Sequence, residues 1–172
     1  MGVSGSGKTT LGQALARELG WHFADADSFH SSDNITKMRT GQPLNDADRA
    51  PWLAALHQHL SQSLAKKQLT VLACSALKKR YRAQLLAGLP LHAVRLVYLQ
   101  GSRELLARRL ALRSGHFIPA ALLDSQLASL ESPSQDENAL VLDIACPPSE
   151  LVSQIVKTFA LEAACPVVSP HT

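Results

Sequence analysis

Apolar residues recur along this chain in two rhythms, as short unbroken runs and as longer stripes at helical spacing. The runs are Trp21 to Ala24, Leu69 to Cys74, Val94 to Leu99 and Leu140 to Ile144. Each has the length and apolar density of a strand buried on both faces. The stripes fall between them. Leu11, Leu15 and Leu19 recur at i, i+4, i+8, with Gly20 as the stop. Leu53, Leu56, Leu60 and Leu64 form a second helix, with Asp48 as its expected cap and Pro51 in its first turn. A third is opened by Pro119 and carries Leu123, Leu127 and Leu130, and the last carries Leu151, Ile155, Val156 and Phe159. Strands alternating with helices predict an α/β fold, a parallel sheet covered by helices on both faces.

Composition narrows this only modestly. The 172 residues suit one domain with a sizeable core, expected over residues 1–164, with 165–172 read as a frayed tail holding two prolines. The 46% hydrophobic and 18% charged content describes an ordinary globular chain rather than a disordered or membrane-embedded one. A formal charge of +3 gives no reason to expect nucleic acid. The densest basic run, Lys78-Lys79-Arg80 with Arg82, reads as a solvated helix face or a phosphate-facing edge. Cys74, Cys146 and Cys165 show no metal-ligand spacing and no paired framework. With no signal peptide and no long apolar span, they point to a reducing, cytoplasmic setting without a membrane.

The chemistry begins at the second residue. Gly2-Val3-Ser4-Gly5-Ser6-Gly7-Lys8-Thr9 matches the phosphate-binding pattern G-x-x-x-x-G-K-[ST]. Its glycines let successive backbone N–H groups turn inward on an anion, and the helix that follows adds its positive end. Residues Gly2 to Thr10 are therefore the expected nucleotide cradle, with Lys8 reaching the β- and γ-phosphates and Thr9 holding Mg²⁺. Such a loop follows a buried strand, yet here only Met1 precedes it. The expectation is a missing or truncated first strand, which leaves a slot in the core between two strands. The first six residues also fit M-G-x-x-x-[ST], the pattern for N-myristoylation. The phosphate loop accounts for the same residues, and no polybasic second signal follows, so the match is read as coincidence.

Four further clusters bear on what the nucleotide is used for. Asp25 and Asp27 end the first complete strand at i, i+2, on the side where ligands bind in such sheets. One carboxylate suits the organisation of Mg²⁺ and the other the attacking hydroxyl, although acids here also suit a capped turn. Residues 30–53 are crowded with polar groups and read as a binding loop, in which Lys37, Arg39 and Arg49 suit an anionic substrate. Ser75 and Lys78 leave the next strand toward the same mouth, while Cys74 reads as a small buried hydrophobe. Arg109 and Arg113 lie four apart on a helix, and Gly115 after them permits a hinge for a closing flap.

Taken together these stretches resemble gluconokinase, over most of the chain from Gly2 to about Asp143. The resemblance rests on the phosphate loop, Asp25-x-Asp27 with His30, and Asn34-Ile35-Thr36-Lys37-Met38. It rests further on Pro43 to Arg49, Pro51-Trp52-Leu53, Cys74 to Lys79, Tyr81-Arg82, Gly115-His116-Phe117, Leu122-Leu123, Ser125-Gln126 and Leu130-Glu131. It implies a nucleoside-monophosphate-kinase-like P-loop fold with a five-stranded parallel sheet and a mobile lid over about residues 108–126. It also implies transfer of the ATP γ-phosphoryl to the 6-hydroxyl of D-gluconate. On this resemblance Lys8, Asp27 and Arg113 serve catalysis, and Thr9 and Asp25 the metal. Asp27, His30, Lys37, Arg49, Lys78 and Gln126 face gluconate, Arg109 and Arg113 contact nucleotide, and the chain is expected to form a homodimer. Family members often carry Gly where Ala26 stands and Pro where Ser31 stands, and neither change removes a functional group. The rival readings are a shikimate kinase, expected to be glycine-rich where Cys74-Ser75-Ala76 stands, and a truncated nucleotide-binding protein without turnover.

Overall fold

A computed structural model describes residues 1–40, 42–112 and 120–163. The four apolar runs become four short parallel strands, whose ends lie within three residues of the sequence limits. These are β1 (His22–Asp25), β2 (Thr70–Ala73), β3 (Val97–Gln100) and β4 (Leu140–Asp143). β1 pairs with β2 in the register His22 to Thr70, and β3 pairs with β4 in the register Val97 to Leu140. Among the described residues these form two separate two-stranded ladders rather than one five-stranded sheet.

Met1 and Gly2 lie between the ladders and make the bonds that join them. The Leu99 N–H donates to the Met1 carbonyl at 2.9 Å, the Met1 amine donates to the Val97 carbonyl, and the Gly2 N–H donates to the Ser75 carbonyl at 3.2 Å. Beside Met1 an apolar cavity of about 420 Å³ separates Leu72 and Ala73 of β2 from Val97 and Leu99 of β3.

Seven helices surround the strands among the described residues: α1 (Lys8–Leu19), α2 (Ser32–Arg39), α3 (Asp46–Ala65), α4 (Lys79–Leu86), α5 (Arg103–Ala111), α6 (Ala120–Ser129) and α7 (Pro148–Phe159). α1 buries the predicted stripe of Leu11, Leu15 and Leu19 against β2 and α7, and Gly20 closes it in the left-handed conformation at φ 66°. Leu99, Leu106, Leu142, Ile144, Val152 and Ile155 complete this core. A second cluster joins Trp52, Leu53 and Leu56 of α3 to Tyr81 and Leu85 of α4.

Two expectations for residues 30–53 change. The segment is not one loop, because Ser31 caps a helix by accepting from the Asn34 N–H, and that helix is α2. The cap of α3 is Asn45 rather than Asp48. Asp48 is the return arm of a capping box, accepting from the Asn45 N–H at 3.0 Å while Asn45 accepts from the Asp48 N–H at 2.9 Å. Pro51 consequently stands beyond the first turn of the helix. The lid expected over about 108–126 includes the ends of α5 and α6, while Arg113, Gly115, His116, Phe117 and Pro119 lie outside the described residues, as do Cys165 and the tail.

Arg82 departs furthest from its expected place. It is 2% exposed rather than on a solvated face. Its guanidinium binds the Glu137 carboxylate through Nε at 2.5 Å and through the second terminal nitrogen at 2.8 Å. The other terminal nitrogen donates to the carbonyls of Ala76, Leu77 and Glu131. One buried side chain thus ties α4, the loop after β2 and the segment after α6 together.

Candidate active site

The ends of β1 and β2, the loop before α1 and parts of α3, α5 and α6 enclose a cleft of about 1410 Å³. Its floor is the glycine loop. Gly5 packs so tightly on α5 that a Cβ there would stand 3.0 Å from Leu110 Cγ and 3.1 Å from the Leu106 carbonyl oxygen. Gly7 caps α1 at φ 88°, a conformation that favours glycine. No side chain caps α1, and its first turn holds no acidic residue. Its N-terminal amides and positive end are thus presented to an anion in the cleft.

The predicted polar groups assemble around this floor. The Thr9 hydroxyl donates to Asp25 Oδ2 at 2.8 Å, which brings the two expected metal residues together at the mouth of β1. Asp25 also caps a short 3₁₀ turn, accepting from the Asp27 N–H at 3.1 Å. The capping and site readings of this pair therefore coexist: the turn aims the exposed Asp27 carboxylate into the cleft. Lys8 Nζ donates to the Val3 carbonyl at 3.1 Å across the loop. Ser4, Ser6 and Thr10 line the same space. Arg109 of α5 donates to the Ile144 carbonyl at 2.6 Å, and this bond holds its guanidinium beside Gly7.

The opposite wall collects most of the expected substrate residues. His30 stacks on Trp52 with ring centroids 4.6 Å apart and planes 7° from parallel, and Trp52 is fixed by donating to the Ala26 carbonyl at 2.7 Å. Arg49 and Lys78 lie over Tyr81. Ser75 lines the cleft with them. Gln126 of α6 reaches the floor instead, where its Oε1 accepts from the Ser4 N–H at 2.7 Å. Lys37 is not among the residues lining the cleft. Asp48 holds it at 2.6 Å, so that pair fastens α2 to α3. Cys74 is buried, and burial pushes its thiol up to about 11, which excludes a thiolate nucleophile at neutral pH.

Two residues of this wall had no role in the sequence reading. Asp46 and Tyr81 both line the cleft. Both lay in stretches that carried the resemblance, and an aromatic residue set within a basic run was a further available signal for Tyr81.

His30 gives a pH-dependent prediction. Burial, with Arg49 adding, lowers its pKa from the ordinary 6.5 against the opposing pull of Asp27, and its Nδ1 is buried without a partner. The unfolded chain therefore binds the proton first as pH falls below 6.5, and folded stability should drop there. Denaturant midpoints at pH 7.5 and 5.5 check this. His30→Gln should flatten the difference, and an equal drop in that variant would place the titration elsewhere.

Comparison with known proteins places these features in context. A family model described as an AAA domain matches residues 1–133. The gluconokinase of Gluconobacter oxydans (strain 621H) is 47% identical over 163 residues, covering 94% of this chain and 90% of that protein. A crystal structure of a sugar kinase from Janibacter sp. HTCC2649 superposes with a TM-score of 0.87 at 43% identity, covering 99% of this chain and 96% of the other. A gluconokinase structure from Sinorhizobium meliloti 1021 superposes with a TM-score of 0.83 at 42% identity, covering 93% and 89%.

Proposed function

This chain belongs to the gluconokinase family, and from that premise we propose that it transfers the γ-phosphoryl group of ATP to the 6-hydroxyl of D-gluconate. It is a P-loop sugar kinase, an ATP-dependent phosphotransferase. The observation that carries the substrate reading is the polarity of one cleft. A phosphate-binding floor shares the cleft with a wall that bears Arg49 and Lys78, and Asp27 lines the same cleft from the turn after β1.

The division of labour follows from position. Backbone amides of the glycine loop and the N-terminus of α1 hold the phosphates of ATP, and Lys8 offsets their charge. Arg109, held beside Gly7 by the Ile144 carbonyl, lies against the nucleotide. The Thr9 hydroxyl and Asp25 carboxylate, 2.8 Å apart, are oxygen donors suited to Mg²⁺. When bound, that ion supplies charge neutralisation on the phosphate oxygens. Asp27 accepts the proton of the attacking hydroxyl or orients it. His30 on Trp52 shapes the sugar pocket, and Arg49 and Lys78 offset the carboxylate. Gln126 links α6 to the phosphate loop through the Ser4 amide. Arg113, outside the described residues, remains the proposed lid arginine. No helix among the described residues is long and apolar enough to cross a membrane. A cytoplasmic homodimer completes the proposal, and light scattering tests the dimer.

Coupled ADP-release assays with gluconate, shikimate and neutral hexoses test the substrate. Gluconate should give the highest kcat/KM. A preference for shikimate would contradict the assignment, and folded protein without turnover on any of them would contradict the enzyme reading.

A further inference from the structure

The wall of the cleft holds more positive charge than it neutralises. Tyr81 is buried, and three cations from two segments crowd its ring. Arg49 of α3 lies 5.7 Å from the ring centroid, Lys78 at the cap of α4 lies 5.5 Å away, and Arg80 of α4 lies 5.3 Å away. Among the described residues one carboxylate forms ion pairs within this set. Asp46, the first residue of α3, accepts from the Tyr81 hydroxyl and from Arg80, and stands 3.9 Å from Lys78 Nζ. Arg49 makes a long bond of 3.5 Å to the same hydroxyl.

We propose that Asp46 stands in for the substrate's carboxylate, so that an anionic sugar acid enters the cage by displacing it from Tyr81 and Lys78. The proposal rests on the gluconate reading above and adds a means of rejecting neutral sugars.

Three features support exchange rather than a permanent pair. The Asp46 side chain is 54% exposed, so it leaves into water at little desolvation cost. Arg80, itself 53% exposed, can follow Asp46 outward and keep it paired. The hydrogen bond from Tyr81, then that from Arg80, holds the Asp46 carboxyl below its ordinary range. The group being displaced therefore carries the charge and acceptor geometry of the group that displaces it. A sugar acid regains, through its own carboxylate, what Tyr81 and Lys78 lose. A neutral polyol regains none of it, and Asp46 stays in place. The acid is selected because an internal acid must be replaced.

Calorimetric titration of gluconate and of glucitol, the matching polyol without a carboxylate, separates the possibilities. Both ligands are titrated into wild type and D46N in the presence of a non-hydrolysable ATP analogue. D46N should bind gluconate roughly 1.5- to fivefold more tightly, the range expected for release from one exposed ion-paired contact, with glucitol unchanged. D46S carries the same expectation if circular dichroism shows D46N misfolded. Gluconate binding that is equal or weaker in the variant would overturn the surrogate role, and so would an equal gain for glucitol. A folded wild type that binds no gluconate would overturn the substrate reading and the surrogate role with it.

Discussion

Asp27→Asn should lower kcat about a hundred- to ten-thousandfold, the range for loss of a general base, while ATP affinity stays nearly intact. The substitution keeps the size of the side chain and its turn. Asp27 takes part in that turn through its backbone N–H, which donates to Asp25, and Asn retains that group. What is lost is a carboxylate exposed to the cleft at the end of β1. The Thr9 and Asp25 pair is separate from it and stays in place. Single-turnover rates with gluconate and equilibrium binding of an ATP analogue make the distinction. A parallel fall in ATP affinity would move Asp27 into the metal site.

Arg82→Leu should cost about 3–5 kcal/mol of stability, the range for removing one partner of a buried ion pair. The loss extends beyond Glu137. The carbonyls of Ala76, Leu77 and Glu131 lose the same donor, and the loop after β2 loses its tie to the segment after α6. The double variant Arg82→Leu, Glu137→Leu should recover part of the loss, because no unpaired charge is then left behind. Urea unfolding of the three proteins measures this, and a single variant within 1 kcal/mol of wild type would contradict the buried role. The pair also sets an acid limit. Arg82 holds the Glu137 carboxyl down at about 2, from an ordinary 4.5. Its contribution is fully present above pH 4.5 and is lost as pH falls from there toward 2.

These two residues mark the boundary of what a linear reading reveals. The place of Asp27 in the cleft was legible because its signal is local: two acids at a strand end beside a phosphate loop. The same holds for the Leu11, Leu15 and Leu19 stripe and for the four apolar runs, whose periodicity requires no knowledge of distant partners. Arg82 was not legible, since a carboxylate 55 positions away decides whether it is buried or solvated. Lys37 and Gln126 follow the same rule. Asp48 draws the first to the joint between α2 and α3, and the Ser4 amide draws the second to the phosphate loop. The capping box of α3 was misread by three positions, because Asn45 and Asp48 are both good caps and only backbone geometry orders them. Motif chemistry thus reads directly from the chain, while long-range charge pairing waits for the fold.

On this proposal one cleft joins a nucleotide phosphate to the terminal hydroxyl of a sugar acid. Uniformly ¹³C-labelled gluconate incubated with Mg²⁺ and ATP, followed by ¹³C and ³¹P nuclear magnetic resonance, tests it most directly. The C6 resonance should acquire phosphorus coupling as ADP accumulates, with the carboxyl carbon unchanged. Phosphorus coupling at any carbon other than C6 and its neighbour C5, which couples through three bonds, or ADP release with no labelled phosphoester, would contradict it.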